Sequence, residues 1–396
     1  MNDVHSIAVI SEILPLGGTS SFVLNLCRGM EHSPNWSIKV GALRSVGEVG
    51  SQIIGAGYDL VGPELDSVLH EERVEDLFRG LSVWSPQVVV ASLGGGAFDF
   101  LRYVPEGCLR IGMIQSDDEC VYRLVEKHLP WLDIIVGVSA EICRKMRLRL
   151  GDLSTTIIQQ PYGVGMVGTA GSKPKQSGLR ILYLGRVSED QKRVNRMARI
   201  MKRTLEADPD LRWTIAGDGS DLGRMRREFD GVPRVAFTGA LPYDRVAEVV
   251  TENDVYFLCS DFEGLPLSLL ESMGAGLVPV VSNLASGISE VVDDGNGIRV
   301  DPGDEDAFVA AILGLAIDPE RVREMSGRAA KRVRENYSAE AMARRWVTMV
   351  EEHGSGAEIV WAAECRASAP VELEGRFAYH RCLRPIRKMW KRLRQR

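Results

Sequence analysis

The segment 260–276, SDFEGLPLSLLESMGAG, carries the pattern that decides the fold. An apolar run leads into it, a short loop holds Glu263 and Gly264, and Pro266 stands where a helix begins its first turn. Glu271 then falls on the second turn of that helix. A strand, a glycine-containing loop and a helix in this order direct backbone N–H groups and the positive helix end to one edge of a sheet. Such an edge is suited to a diphosphate.

The same strand–loop–helix unit recurs along the chain. Short apolar runs alternate with longer amphipathic stretches, which is typical of βα units on a parallel sheet. The predicted strands are Ser6–Ile10, Ile38–Leu43, Val88–Ser92, Arg110–Ile114, Ile134–Val138, Arg180–Leu184, Trp213–Ala216, Val235–Phe237, Val255–Cys259 and Val278–Val281. The predicted helices are Ser20–Met30, Val74–Leu81, Lys192–Ala207, Arg245–Glu252, Leu267–Met273, Glu305–Leu315, Pro319–Asn336 and Ser338–His353. The fold class is therefore α/β, with two doubly wound, Rossmann-like domains facing each other across a cleft.

A change in composition separates the two series of units. The stretch 163–178, GVGMVGTAGSKPKQSG, is rich in Gly, Ser, Pro and Lys, as linkers are. We predict an N-terminal domain at 1–168, a linker at 169–178, a C-terminal domain at 179–353 and a crossover segment with a basic tail at 354–396.

Composition excludes several classes of protein. A hydrophobic fraction of 45% and a charged fraction of 26% are ordinary for a globular chain, so disordered and fibrous classes are excluded. The seven cysteines form no CxxC pair, which argues against a disulfide scaffold or zinc finger and favours a reducing compartment. No apolar run approaches the roughly 20 residues of a spanning helix, and the N-terminus lacks a signal peptide's basic region. The expected location is the cytoplasm.

Glu263 and Glu271 suit hydroxyl groups better than phosphate. A carboxylate accepts two O–H bonds from a vicinal diol, such as that of a ribose or a hexose. Gly264 permits a close approach of the backbone to a ligand. The alternative is that Glu271 is a solvated helix residue and Glu263 an ordinary loop residue.

The stretch Leu184–Arg193, LGRVSEDQKR, supplies two cations after another predicted strand. The Arg186 guanidinium offers a planar fork to phosphate oxygens, and the Lys192 ammonium offers a compact charge. Together they would stabilise a leaving diphosphate, whose charge grows in the transition state. A solvated basic patch with Glu189 and Asp190 as partners is the alternative, and Arg193 is expected at the surface.

Two glycine-rich turns are further candidates. Gly217 lies in AGDGS at 216–220, which resembles a dinucleotide loop without its full spacing. Gly18 lies in PLGGTSS at 15–21, which is either a phosphate or sugar loop or a tight strand-to-helix turn.

The order of these motifs resembles a retaining GT-B glycosyltransferase of the glycosyltransferase 4 group. The shared features are the Gly-Gly loop, GR…K, AGDG, FTG at 237–239, two glutamates eight positions apart, and GISEVVDDGNG at 287–297. The resemblance is strongest from about Arg180 to Tyr337. It implies an acceptor-side N-terminal domain, a donor-side C-terminal domain and a nucleotide sugar between them. It also implies that no metal and no further cofactor is required.

The resemblance assigns a role to each matching position. Arg186 and Lys192 would hold the diphosphate, Glu263 would bind the donor sugar hydroxyls, and Glu271 would bind the ribose. The catalytic set is therefore Glu263, Arg186 and Lys192. The spacing from Arg186 to Lys192 is one residue longer than in many members. The remaining positions expected to bind the donor are Gly264, Leu265, Gly18 and Gly217.

The chain departs from the family at the end of one N-terminal strand. Where the family commonly carries a His, this sequence has Gln115 in the stretch IQSDD at 114–118. Glutamine cannot act as a base, but it can hydrogen-bond a sugar hydroxyl, so Gln115 and Asp117 become candidate acceptor contacts. A loop that caps the next helix through Asp117 and Asp118 is the alternative.

Three functions fit these motifs. The leading hypothesis is a glycosyltransferase that moves a sugar from a UDP- or GDP-sugar to a saccharide or lipid-linked acceptor in cell-surface polysaccharide or glycoconjugate synthesis. A UDP-sugar epimerase of GT-B-like fold and a non-catalytic sugar-binding relative are the alternatives. Two Asp-x-Asp matches, at Asp208–Asp210 and Asp304–Asp306, are interpreted as caps and not as metal ligands.

The net charge of −6 conceals an asymmetry. The tail Arg376–Arg396 carries nine Lys or Arg and no acidic residue, which leaves −15 for the rest of the chain. Leu383, Ile386, Trp390 and Leu393 recur at helical spacing, which is typical of an interfacial helix on an anionic membrane. The protein would then be peripheral at the inner face of the membrane. A helix docked on the protein's own acidic surface is the alternative, and a nucleic-acid partner is disfavoured because the acidic body repels polyanions.

Deletion of residues 376–396 tests the role of the tail. If the basic helix binds membranes, the full chain will float with vesicles that contain anionic phospholipid, and the truncated chain will float less. Vesicles of neutral phospholipid serve as the control. Equal flotation of both forms would reject the anchor.

Overall fold

Two parallel β-sheets, one in each half of the chain, organise the structure. The computed structural model describes residues 5–15, 17–63, 69–165, 178–354 and 359–361 of the 396. The predicted basic tail, and most of the predicted linker, lie outside the described residues.

The N-terminal sheet has seven strands. They are β1 (His5–Ile13), β2 (Trp36–Ser45), β3 (Leu60–Val61), β4 (Val88–Leu93), β5 (Leu109–Ile114), β6 (Ile134–Gly137) and β7 (Thr156–Gln159). They pair in parallel in the order β3-β2-β1-β4-β5-β6-β7. The order reverses between β1 and β4, and the crevice at such a point is where ligands bind in sheets of this kind.

The C-terminal sheet repeats this plan with six strands. They are β8 (Arg180–Leu184), β9 (Arg212–Ala216), β10 (Val235–Gly239), β11 (Val255–Leu258), β12 (Val278–Ser282) and β13 (Ile298–Val300). The order is β10-β9-β8-β11-β12-β13, again parallel. The reversal here lies between β8 and β11, the two strands that lead into the two charged loops of the predicted donor site.

Helices cover both faces of each sheet. Those of the first half are α1 (Gly18–Met30), α2 (Gly47–Gly55), α3 (His70–Trp84), α4 (Gly95–Phe100), α5 (Glu119–His128) and α6 (Ala140–Leu150). Those of the second half are α7 (Glu189–Lys192), α8 (Val194–Ala207), α9 (Leu222–Glu228), α10 (Tyr243–Thr251), α11 (Leu267–Gly274), α12 (Gly287–Val291), α13 (Glu305–Ala316), α14 (Pro319–Asn336) and α15 (Ala339–His353). Because helices lie on both faces, a central strand such as β11 is buried along its whole length.

Each predicted strand and helix overlaps an observed one, with one break. The helix predicted at Lys192–Ala207 is divided at Arg193, whose φ of 52° ends α7 and starts α8. Periodicity could not show this, because a single left-handed residue leaves the apolar spacing of α8 intact. The sequence also missed short elements, among them β3, β7, β13, α4 and α12, which carry too few residues to display a period.

The last helix, α15, returns to the N-terminal half and packs along α1. A Cβ on Gly29 would lie 2.2 Å from the backbone oxygen of Ala339. Val164 forms an isolated parallel bridge with Ser338, and Ala339 N donates to Val164 O at 2.9 Å. The crossing therefore starts at Ser338, earlier than the predicted 354–396 segment.

The described part of the predicted crossover segment also contacts the N-terminal half. The Trp361 indole nitrogen donates to Pro86 O at 3.2 Å, and its ring centroid lies 5.3 Å from that of Phe78. None of the described helices is both long enough and apolar enough to cross a membrane. The predicted domain boundaries at 168 and 178 stay predictions.

The contact between α1 and α15 predicts that a side chain at Gly29 is destabilising. A glycine in open space, Gly314, provides the comparison. Gly29→Ala should lower the free energy of unfolding by about 1–3 kcal/mol, because the new methyl group meets the Ala339 carbonyl. Gly314→Ala, within α13 and with no atom within 4 Å of its Cβ position, should raise that free energy by about 0.5–1 kcal/mol. Urea unfolding measures both. A tolerated Gly29→Ala would contradict the packing of α15 on α1.

Candidate functional site

The carboxyl edges of the two sheets face each other, and the predicted donor motifs meet between them. A Cβ on Gly18, the first residue of α1, would lie 3.6 Å from the Cβ of Leu267, the first residue of α11. A Cβ on Gly264 would lie only 2.6 Å from the backbone oxygen of Gln115, which follows β5. Gly264 was predicted to allow the backbone to approach a ligand closely. In the structure it allows a close approach to the backbone of the N-terminal domain.

Lys192 and Glu263 form a buried ion pair at the centre of this site. Lys192 Nζ lies 2.5 Å from Glu263 Oε1, and the side chains are 12% and 7% exposed. Burying either charge alone would be costly, so each stabilises the other in place. Lys192 ends α7 and Glu263 follows β11, so the pair joins the two loops at the reversal point of the sheet.

Arg193 lies at the surface, as predicted, with its side chain 38% exposed, and it also takes part in an ion-pair network. Its guanidinium pairs with Asp261, and Arg196 Nη1 also binds this carboxylate at 2.9 Å. Partial burial raises the pKa of Asp261, but the hydrogen bonds from the two guanidinium groups outweigh it and leave the pKa below its ordinary value. Because Arg193 adopts a left-handed conformation, its guanidinium pairs with Asp261, whereas the preceding Lys192 pairs with Glu263.

Arg186 is exposed and is held by a residue that sequence reasoning missed. Arg186 Nη2 donates to Gln191 Oε1 at 3.0 Å, and Gln191 Nε2 donates to Phe262 O at 2.9 Å. Asp261 N donates in turn to Gln191 O at 3.1 Å. Gln191 therefore connects the two charged loops and orients Arg186. No local signal in the sequence indicated this role, because Phe262 lies 71 positions from Gln191.

The AGDG turn packs directly beneath the Arg186 loop. Gly217 has a φ of 137°, and a Cβ on it would lie 1.9 Å from the backbone oxygen of Gly185. Val187 N donates to Asp218 O at 2.8 Å. The structure gives Gly217 a packing role, and its contact with a donor stays a prediction.

Glu271 lies on the second turn of α11, as predicted, and its carboxylate is largely withdrawn from solvent. Desolvation raises its pKa from 4.5 to about 7. No residue in the described ranges donates a hydrogen bond to this carboxylate. It is therefore available to accept hydroxyl groups of a ligand.

The turn before α11 offers backbone donors. Leu265 is buried, and within the described part of the chain no group accepts from the N–H of Gly264 or Leu265. Beneath the helix, buried Tyr256 shares a hydrogen bond of 2.8 Å with Ser268 and fixes the first turn of α11. These donors and the positive helix end fit an anionic group.

The two candidate acceptor contacts are occupied by the protein itself. Gln115 is 8% exposed, and its amide nitrogen donates to Ser92 O at 2.6 Å. Tyr162 donates to its amide oxygen at 2.6 Å. The amide nitrogen and the amide oxygen of Gln115 are thus both hydrogen-bonded within the protein. The structure therefore argues against a direct contact between Gln115 and the acceptor.

Asp117 is likewise engaged. Its carboxylate accepts from Tyr122 at 2.8 Å and pairs with Lys145 at 2.6 Å. Asp118 caps α5 by accepting from Cys120 N at 2.7 Å, which confirms the capping alternative for Asp118. A role for Asp117 toward the acceptor would require that it exchange one of these partners.

The predicted capping role is confirmed for Asp304, whereas Asp208 lies in a turn at the C-terminal end of α8. Asp208 accepts from Asp210 N at 2.9 Å, and Asp304 caps α13 by accepting from Ala307 N at 2.9 Å. Among the residues that the structure describes, no group of three or more His, Cys, Asp or Glu is arranged to hold a metal ion.

Comparison with known proteins identifies the C-terminal half. Residues 178–318, which hold the Arg186, Lys192, Glu263 and Glu271 positions, match the family model of glycosyl transferases group 1. This part of the chain is similar in sequence to that family. The resemblance predicted from the motifs is thereby confirmed.

Two curated relatives extend the match. The chain is 31% identical over 161 residues to sulfoquinovosyl transferase SQD2 of Arabidopsis thaliana, an alignment that spans 40% of this chain and 30% of SQD2. It is 28% identical over 223 residues to the O-antigen biosynthesis glycosyltransferase WbnH of Escherichia coli, which spans 55% of this chain and 62% of WbnH. The aligned stretch covers less than two thirds of either relative.

The fold extends over nearly the whole described chain. The structure of Anabaena Alr3699/HepE in complex with UDP and glucose superimposes with a TM-score of 0.72 at 11% identity, covering 88% of this chain and 100% of HepE. The predicted GT-B arrangement of two Rossmann-like domains is confirmed.

The raised pKa of Glu271 predicts a pH-dependent contribution to stability. Its folded-state pKa of about 7 exceeds the ordinary 4.5, so ionisation of this carboxyl costs stability progressively as pH rises from about 4.5 to about 7. Glu271→Gln should therefore raise the free energy of unfolding by about 1–3 kcal/mol at pH 8 and leave it nearly unchanged at pH 4.5. Denaturant unfolding at both pH values measures this. An equal effect at both would show that Glu271 is not desolvated.

Proposed function

We propose that the protein transfers a sugar, with retention, from a nucleoside-diphosphate sugar to a saccharide or lipid-linked acceptor. The observation that carries this proposal is the buried Lys192–Glu263 pair between the facing sheet edges. A glutamate whose second oxygen is free of Lys192 can accept sugar hydroxyls, while the lysine places positive charge beside the leaving group.

The donor would lie along α11 in a defined direction. The ribose diol would bind Glu271, and the diphosphate would bind the N–H groups of Gly264 and Leu265 together with Arg186 and Lys192. The donor sugar would then lie near Glu263, facing Gly18 across the cleft. In this order the hydroxyl groups of the donor lie beside carboxylates, and its diphosphate lies beside N–H groups and cations.

The reaction would break the bond from the anomeric carbon to the phosphate oxygen, and the electron pair would leave with the diphosphate. The acceptor hydroxyl would attack from the same face, and its proton would pass to the departing phosphate oxygen. Arg186 and Lys192 would stabilise the growing charge, the task that a metal ion performs in other enzymes. Because Gln115 cannot act as a base, this front-face route is the one that the residues favour.

The printed names of the relatives support a sugar-transfer role, and that of WbnH supports polysaccharide synthesis. WbnH is an O-antigen biosynthesis glycosyltransferase and SQD2 a sulfoquinovosyl transferase, and HepE is described with bound UDP. We therefore propose a UDP- or GDP-sugar as donor and a role in polysaccharide or glycoconjugate synthesis. We also propose that the protein acts in the cytoplasm, held at the inner membrane face through Arg376–Arg396.

Incubation with UDP-, GDP-, ADP- and dTDP-sugars tests the proposal. Binding should raise the melting temperature, and slow hydrolysis should release free sugar without acceptor. Lys192→Ala should reduce this hydrolysis by about 100-fold or more, since it removes a charge beside the leaving group. The matched control is Lys202→Ala, which removes an exposed lysine paired with Glu228 on the same domain.

The products distinguish the competing functions. Conversion of the nucleotide sugar into its epimer would favour an epimerase, and tight binding without turnover on any acceptor would favour a sugar-binding relative. No binding to any member of the panel would refute the proposed donor class.

A further inference from the structure

Glu290 of the C-terminal half holds two elements of the N-terminal half. Its Oε1 accepts a hydrogen bond of 2.7 Å from Ala140 N, the first residue of α6. Its Oε2 accepts a short hydrogen bond from the side-chain nitrogen of Gln159, the last residue of β7. Glu290 lies on α12, so a single carboxylate spans the boundary between the two sheets.

The contact at α6 is favourable for two reasons. Ser139 caps this helix through Ile142 N at 3.3 Å, which leaves Ala140 N–H for Glu290. A carboxylate at a helix N-terminus also meets the positive end of the helix dipole, and a hydrogen bond to an ionised acceptor is stronger than one between neutral groups.

The other end of α12 is bound to the predicted donor loop. Gly287 N donates to Gly264 O at 2.7 Å, and a Cβ on Gly287 would lie 2.8 Å from that same oxygen. Arg332 Nη2 donates to the backbone oxygen of Glu290 at 2.6 Å and fixes the helix from the α14 side. The short helix therefore connects Ala140 and Gln159 on one domain with Gly264 on the other.

We propose that Glu290 is a positioning residue that holds the two domains closed and in register with the Glu263–Gly264 loop. Because α12 is hydrogen-bonded to Gly264, the contacts of Glu290 with α6 and β7 also fix the position of this loop against the N-terminal half. When the Glu290 contacts are lost, the cleft opens and Gly264 moves away from Gln115. The effect on catalysis rests on the proposed function, whereas the effect on closure does not.

Closure is tested without turnover by comparing the wild-type chain with Glu290→Ala, Gln159→Ala and a control, Glu320→Ala. Glu320 is an exposed glutamate of α14 that pairs with Arg323 on its own helix. Glu290→Ala should increase the radius of gyration in small-angle X-ray scattering and speed hydrogen exchange in the first turn of α6 about tenfold. Gln159→Ala should have a smaller effect in the same direction, and it substitutes if Glu290→Ala does not fold. The control should match the wild type.

A radius of gyration and α6 exchange rate unchanged in both Glu290→Ala and Gln159→Ala would overturn the proposal. In an active enzyme, kcat should fall about tenfold, while the Kd for UDP or GDP changes less than about twofold. Domain opening without any loss of kcat would also overturn the positioning role. If the wild-type chain turns over no nucleotide sugar, the proposed function fails, and scattering and exchange alone decide the role of Glu290.

Discussion

The two halves of this protein meet where main chain lies directly against main chain, and the rest of the structure depends on that constraint. Gly29 lies under Ala339, and Gly264 faces the backbone of Gln115. A Cβ would lie 2.2 Å from the Ala339 oxygen at the first position and 2.6 Å from the Gln115 oxygen at the second, so a side chain at either would push the two surfaces apart. Glycine is needed at both positions because there is no room for a Cβ atom, and not because of an unusual φ. Each contact therefore determines how closely the two domains approach.

Charge is organised around this narrow cleft in a chain whose net charge is negative. Lys192 is neutralised by Glu263, and Arg193 by Asp261, so the loops carry cations without an excess of repulsion. Glu271 differs because no described residue pairs with its carboxylate. Desolvation raises the pKa of this carboxyl to about 7. A carboxylate in that condition gains from hydroxyl donors more than a solvated one does, since water no longer satisfies it.

The strands at the centre of each sheet and the longer helices of the second half could be predicted from the sequence, since apolar periodicity is a property of each segment, whereas short elements such as β3, β7 and α4 could not. The donor motifs could be placed together because the carboxyl ends of parallel strands share one edge. Gln191 and Glu290 were missed, although both stood within quoted stretches. Their partners are Phe262, 71 positions away, and Gln159, 131 positions away. A pattern of neighbouring residues cannot indicate contacts between positions so far apart in the sequence.

The sequence by itself determined the two parallel sheets, the loops at their edges and the family that residues 178–318 match, because these follow from local patterns and their order. Only the tertiary structure decided which cation meets Glu263, since a single left-handed residue at Arg193 separates Lys192 from its neighbour. It also decided that Gln115 is bound inside the protein. A side chain's free hydrogen-bonding groups depend on what other segments bring beside it, and that is fixed only when the chain has folded.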